Sequence, residues 1–495
     1  MDNKLKKYRW ISSIVFLLSL IPIIIISGCV YPQADDFAFS QRTYHIWNST
    51  HSVLSVFLES IRVSYNYWWE WQGSYTSCFL MALQPGIFGE KIYHIVPFIL
   101  IGLLWISLFC LNKSILKKLN VSKDIYLIAT NIETFVIYEN IVDQAEAFFW
   151  YNSGIHYMGL LSIELLYYAY IIEIAGKKCS FKKKFILQVG ACVLAVIVAG
   201  GNNLTVLSAL IINISIIVLL TFSRINRKES FFGNLVMWIP SSIMMIIGGT
   251  LNILSVGNGV RLEYVGGTKH SVISTILLAF ENGFYYSFKW FDYLIVLYCI
   301  CVVVLGYWVI SKKSIKLDTF SIKIPVLVSI YGYCLISAMF APEIYTFGFV
   351  GTRRTLNVIF VFYVLTLGVG IYIWELYFYI KKEKIFNYLC SICVVIKKYR
   401  IIVYAIICVV GLATVISNPS RYTTTSAMYY LYKGEAIDCK NVIEYNFELL
   451  NNEEISEVVL KKLPSEPSIL FSSEIDEWKA GTRLYYDKQS VEWGD

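Results

Sequence analysis

Charge is what this sequence has least of. Only 16% of its 495 residues are Asp, Glu, Lys or Arg, while 57% are hydrophobic. Soluble domains carry about 25% charge, so a soluble globular fold is excluded. Signatures of well-known chemistries are missing too. There is no Walker sequence, no HExxH and no nucleophile elbow. The twelve cysteines build no disulfide framework. Most sit inside apolar runs as small hydrophobes, and Cys439 stands alone in a polar segment. Cys390 and Cys393 form a CxxC with no second pair to complete a four-ligand zinc site. Short-period repeats and low-complexity segments are absent as well.

What is there instead is a series of long apolar runs, each of a length that crosses a bilayer as a helix. Eleven spans are predicted, near 10–30, 92–111, 125–142, 155–175, 185–200, 203–222, 231–254, 291–311, 324–341, 354–380 and 397–416. The expected fold is an all-α polytopic membrane protein. The N-terminus and the loops near 112–124, 176–184, 223–230, 312–323 and 381–400 hold 26 of the 42 Lys and Arg residues. The opposite loops hold 8, and the tail from 417 to 495 holds 8. Basic loops stay in the cytoplasm, so the expectation is N-terminus inside and C-terminus outside. The net charge of +7 belongs to this pattern and does not signal nucleic acid. Lys4, Lys6, Lys7 and Arg9 precede the first run as in a signal peptide, and Ile26-Ser27-Gly28-Cys29 resembles a lipoprotein cleavage box. The run is long enough to span and more spans follow, so it reads as a retained first helix.

On this topology the loop 31–91 is extracytoplasmic and opens on Asp35-Asp36, directly after the first span. It continues with an amphipathic stretch, Val53 to Tyr67, a Trp-rich piece and a short apolar segment broken at Pro85-Gly86. These read as helices lying on the outer leaflet, as does 271–290. The tail holds 14 acidic residues and strand-like runs. It is read as a small outer α/β domain, residues 417–495, over a membrane domain, residues 1–416.

The same outer face carries Arg261, Lys269, Arg353 and Arg354, with Trp68, Trp69, Trp71 and Trp150, Asn152, His156 and Glu343. Carboxylates, guanidiniums and aromatics at one membrane surface suit sugar transfer from a lipid phosphate. A carboxylate deprotonates the acceptor hydroxyl, guanidiniums hold the departing phosphate, and aromatic faces stack on sugar. Each residue also has an ordinary role. The Asp pair can cap a helix, the arginines can snorkel, the tryptophans can form an interfacial belt, and His156 and Asn152 can make structural hydrogen bonds. Glu133, Glu139 and Glu164 fall within predicted spans, where carboxylates are functional candidates, yet they form no regular relay for protons.

The order of these pieces resembles the GT-C superfamily of polyprenyl-phosphate-sugar-dependent glycosyltransferases, and within it bacterial polytopic proteins related to surface-polysaccharide glucosyltransferases. The matching pieces are Ala34-Asp35-Asp36-Phe37, Trp150-Tyr151-Asn152-Ser153-Gly154 with Tyr157, and Gly257-Asn258 with Arg261. Pro342-Glu343 with Arg353-Arg354, Arg421, Glu477-Trp478 and Tyr485-Tyr486 also fit. One departure stands out: the family pattern has an Arg after the Trp-x-Gly of the first loop, and here Ser74 follows Trp71-Gln72-Gly73. The resemblance implies a GT-C-type bundle in a bacterial plasma membrane, with Asp35 or Asp36 as base and Arg261, Lys269, Arg353 or Arg354 on the donor phosphate. It implies inversion and no metal or other cofactor. The partners would be a polyprenyl-phosphate-linked sugar, a glycan acceptor, membrane lipids and a small membrane protein that flips the donor. A polysaccharide polymerase or ligase, and a lipid-linked sugar transporter, remain open alternatives.

Overall fold

A computed structural model describes residues 2–177, 180–225, 230–266, 270–311, 320–348, 350, 352–382, 385–386, 398–471 and 478–494. The described residues are mostly helical. Among the described residues, eight helices are long and apolar enough to cross a membrane: Lys4–Ser27, Glu90–Lys118, Tyr151–Ala175, Asn203–Ile225, Leu235–Ile253, Tyr293–Ile310, Lys323–Phe347 and Arg353–Lys381. Each matches one of the eleven predicted spans. The other three predicted spans are also helices, and two of them carry charges that suit hydrocarbon less well. Lys123–Glu139 has 17 residues and carries Asp124, Glu133 and Glu139. Phe181–Ala199 opens on Lys182-Lys183-Lys184. The helix Arg400–Ser417 is apolar over Ala405–Ser417.

The first span is built from α1 (Asp2–Ser19) and α2 (Ile21–Ser27), broken where Pro22 enters. Trp10, Ile14, Leu17, Leu18, Ile21, Ile24 and Ile25 are exposed along it. An apolar face turned outward is expected where the solvent is lipid.

The loop 31–91 folds as α3 (Asp36–Thr50), α4 (Val53–Glu70) and α5 (Tyr75–Met81), followed by two short 3₁₀ turns. Ser52 starts α4 by accepting the Ser55 N–H, a cap that contributes about 1 kcal/mol. The helix buries Val56, Ser60, Val63 and Ser64 and exposes Val53, Leu54, Phe57, Leu58 and Ile61. It therefore has the two unlike faces that the sequence pattern predicted.

Further helices follow. They are α6 (Val96–Lys118), α7 (Lys123–Glu139), the single turn α8 (Tyr151–Gly154), α9 (Leu160–Ala175), α10 (Phe181–Ala199), α11 (Asn203–Ile225) and α12 (Leu235–Ile253). Next come α13 (Val256–Val265), α14 (Val272–Lys289), α15 (Tyr293–Ser311), α16 (Lys323–Ala338), α17 (Ala341–Phe347) and α18 (Arg353–Lys381). α6 packs on α7 and α9, α10 on α9 and α12, and α18 on α15 and α16. Three carboxylates between these helices are paired. Asn112 Nδ2 donates to Glu133 Oε2 at 2.6 Å, and Ser208 Oγ reaches both oxygens of Glu164 at 3.1 Å. Glu139 accepts from the backbone N–H and the hydroxyl of Thr424. Such pairing is what a polar group inside an apolar bundle requires.

The C-terminal segment contains α19 (Arg400–Ser417), α20 (Thr423–Tyr432), α21 (Glu435–Asn451), β1 (Glu457–Leu460), α22 (Trp478–Tyr485) and β2 (Ser490–Trp493). β1 and β2 pair in parallel, Glu457 opposite Ser490 and Leu460 opposite Trp493. This segment is packed onto α3: Tyr485 stacks on Tyr44 at 3.9 Å and meets Phe37 edge-on at 5.3 Å. Cys439 is buried, and its thiol donates to the Ser465 carbonyl. Cys390 and Cys393 lie outside the described residues.

Candidate functional site

The Asp pair sits at the junction of four elements. Ala34 holds a φ of 49°, a left-handed conformation that residues other than glycine rarely adopt. The turn ends with Gln33 and Asp36 bonded to each other in both directions: the Asp36 N–H donates to Gln33 O and the Gln33 N–H to Asp36 Oδ2, each at 3.0 Å. α3 starts there.

Asp36 is fully enclosed. Besides Gln33, it accepts the Tyr93 hydroxyl on Oδ2 at 2.5 Å and the Asn152 N–H on Oδ1 at 3.1 Å. Tyr93 in turn accepts the Tyr151 N–H at 2.7 Å. One carboxyl thus ties the start of α3 to the residues leading into α6 and to α8. Burial, and then the neighbouring Asp35, push the Asp36 carboxyl up to about 8, while its three donors pull the other way.

Asp35 is different. It is partly exposed, and its Oδ1 accepts the Asn152 side-chain amide at 3.1 Å. Asn152 therefore serves both acids, with its backbone on Asp36 and its side chain on Asp35.

α8, which carries Asn152, is flanked by two π-helical turns, Ala145–Phe149 and Ile155–Gly159. Such turns recur at functional sites because they aim side chains out of the regular helical register. Here they leave an unusual concentration of buried polar atoms without hydrogen-bond partners among the described residues: Trp150 Nε1, Asn152 Oδ1, Ser153 Oγ and His156 Nδ1. Each such group costs about 1–3 kcal/mol if nothing binds it.

Two guanidiniums face this stretch. Arg354 at the start of α18 lies over the rings of Trp150, at 6.0 Å, and Tyr157, at 5.9 Å. Its Nε is 4.0 Å from Glu146 Oε2. Arg261 on α13 lies 5.8 Å over Trp71 and donates to Gln72 Oε1 at 2.6 Å, while its Nε has no hydrogen-bond partner among the described residues. Arg261 and Arg354 both lie within electrostatic reach of His156 and of Glu343. Glu343 accepts the Thr355 hydroxyl at 2.9 Å. The Arg261 position rests on a close helix contact: a Cβ on Gly257 would come within 2.6 Å of the Trp71 and Gln72 nitrogens. Only glycine lets α13 meet the end of α4 there.

The structure thus joins Asp35 and Asp36 through Asn152, and Arg261 and Arg354 through His156 and Glu343, with Trp71 and Trp150 against the guanidiniums. It separates others from them. The Arg353 side chain is 71% exposed, against 22% for Arg354, and is 3.6 Å from Asp143 Oδ2. Trp68 donates to the Leu251 carbonyl, and the exposed Trp69 packs on Trp68, the arrangement of an interfacial belt. Lys269 and Glu477 lie outside the described residues. Three contributors carry no signal in the sequence: Tyr93, Gln72 and Glu146. Each is an ordinary residue for its segment and becomes notable only through a partner far along the chain. Among the described residues no group of three or more His, Cys, Asp or Glu side chains is arranged to hold a metal ion.

No protein-family model and no curated protein matches this chain.

Proposed function

We propose that the protein is a membrane glycosyltransferase. It moves a sugar from a polyprenyl-phosphate carrier to a cell-surface glycan at the extracytoplasmic face of a bacterial plasma membrane. The reading takes all eleven apolar helices as spans, with the N-terminus inside and the C-terminus outside. The observation that carries it is that Arg261 and Arg354 meet a stretch, tied to Asp35 through Asn152, in which four buried polar atoms have no partner among the described residues. Two guanidiniums suit an anionic phosphate. Trp150 Nε1, Asn152 Oδ1, Ser153 Oγ and His156 Nδ1, without partners among the described residues, suit a ligand rich in hydroxyls.

In this scheme Asp35 takes the proton of the acceptor hydroxyl. The freed oxygen bonds to the anomeric carbon as the carbon–oxygen bond to phosphate breaks, with inversion. The phosphate leaves as an anion held by Arg261 and Arg354, which stabilise the charge as it develops. Asp36, having no access to a substrate, positions Asn152. Trp71 and Trp150 fix the guanidiniums by covering their faces. The donor reaches this face with the help of a partner that flips it.

The test uses a strain scored for surface-glycan modification. Asp35→Asn should lower the modification rate by about 10²–10⁴-fold, the range for loss of a general base, at normal protein level. Arg261→Ala and Arg354→Ala should each impair it, and Arg353→Ala should leave it near normal. Full modification in Asp35→Asn and in the Arg261→Ala, Arg354→Ala double variant would sink the proposal.

A further inference from the structure

A cavity of about 420 Å³ lies between α15, α16 and α18, lined by Val328, Ile336, Leu367, Ile371 and Trp374 among others. Its polar lining groups are almost all engaged with backbone. Ser287 donates to Gly283 O at 2.7 Å, Ser329 to Pro325 O at 3.0 Å, Tyr333 to Phe280 O at 2.8 Å and Thr366 to Phe362 O at 2.7 Å. One lining group differs. Glu375 is 6% exposed, and its Oε2 has no hydrogen-bond partner among the described residues. Gly306 on α15 makes room for that oxygen, since a Cβ there would collide with it.

A carboxylate in apolar walls is costly unless something pairs with it. The three helices are candidate spans, so the occupant enters from lipid. Glu375 precedes the end of α18 by about 9 Å of helix axis, at 1.5 Å per residue, which is near head-group depth. Tyr307 and Trp374 flank the cavity, and aromatic faces attract ammonium ions. A primary ammonium supplies both the opposite charge and three donors.

We infer that this cavity is a binding site for a membrane lipid with an ammonium head. The alkyl chain fills the apolar space and the ammonium pairs with Glu375. Nothing in this depends on the transferase reading.

The experiment places the full chain in phosphatidylcholine nanodiscs and labels it with a photoreactive long-chain primary amine. The amine should crosslink to residues lining the cavity, and added phosphatidylethanolamine should compete. Glu375→Gln should cut labelling by about tenfold, the factor that one charge-assisted hydrogen bond supplies. Gly370→Leu is the second variant. Gly370 lines the cavity, and a Cβ there meets nothing within 4 Å, so leucine fills the space without disturbing the helix and should abolish labelling. Labelling unchanged in both variants, equal labelling by an alcohol of the same chain length, or failure of phosphatidylethanolamine to compete would each overturn the assignment.

Discussion

At the scale of the residue, two neighbouring acids have been given unlike surroundings. Asp36 is enclosed by three donors, while Asp35 shares Asn152 and reaches solvent. The sequence shows the pair and its place after the first span, and it shows that adjacent side chains diverge. It does not show which is enclosed, because the Tyr93 hydroxyl and the Asn152 N–H arrive from 57 and 116 residues away. The difference has a measurable consequence. The folded Asp36 sits near 8 against an ordinary 3.8, so the folded state binds its proton more tightly than the unfolded chain does. Stability from this group is full below about pH 4 and declines as pH rises toward about 8. Asp36→Asn does not titrate, so it should lack that decline. Thermal unfolding in detergent at about pH 5 and about pH 8 checks this: the variant should gain on the wild type at the higher pH.

At the scale of the element, amphipathicity was legible and close approach was not. The apolar positions of 53–67 and 271–290 recur at helical spacing, and both stretches are helices with exposed apolar faces: Val53, Leu54 and Phe57 on α4, and Val272, Ile276, Phe280 and Phe284 on α14. Gly257 and Gly259 look alike in sequence, two residues apart on α13. Packing distinguishes them. A Cβ on Gly257 meets the Trp71 and Gln72 nitrogens at 2.6 Å, whereas one on Gly259 meets nothing within 4 Å. Gly259→Ala should therefore stabilise by about 0.5–1 kcal/mol through helix propensity. Gly257→Ala should destabilise by about 1–3 kcal/mol through overpacking, and it should displace Arg261 from Trp71. Thermal midpoints of the two variants, purified side by side, check the opposite signs.

At the scale of the molecule, the tail is part of the site's support. Gln33 donates to the Leu470 carbonyl at 2.9 Å, and Tyr31 donates to Glu444 at 2.7 Å, so the turn before the Asp pair is held from the C-terminal segment. Arg421 pairs with Asp292, and Thr424 with Glu139, joining the same segment to α15 and α7. The proposed topology puts all of this outside the cell. A phosphatase reporter that is active only outside, fused after the last residue, should be active, and the same reporter inserted near residue 120 should be inactive. The reverse pattern would undo the orientation, and with it the placing of Asp35 on the outer face.

The sequence by itself determined that the protein is helical and made for a membrane, because hydrophobic runs and basic loops are local properties of composition. It also placed an acidic pair where the chain leaves the first span. The tertiary structure alone decided which arginine is enclosed and which is exposed. It also decided that Tyr93 and Asn152 hold the acids, and that Glu375 faces a cavity with one oxygen unpartnered among the described residues. These are contacts between residues distant in the chain, and no local pattern of residue types encodes which side chain another helix brings beside it.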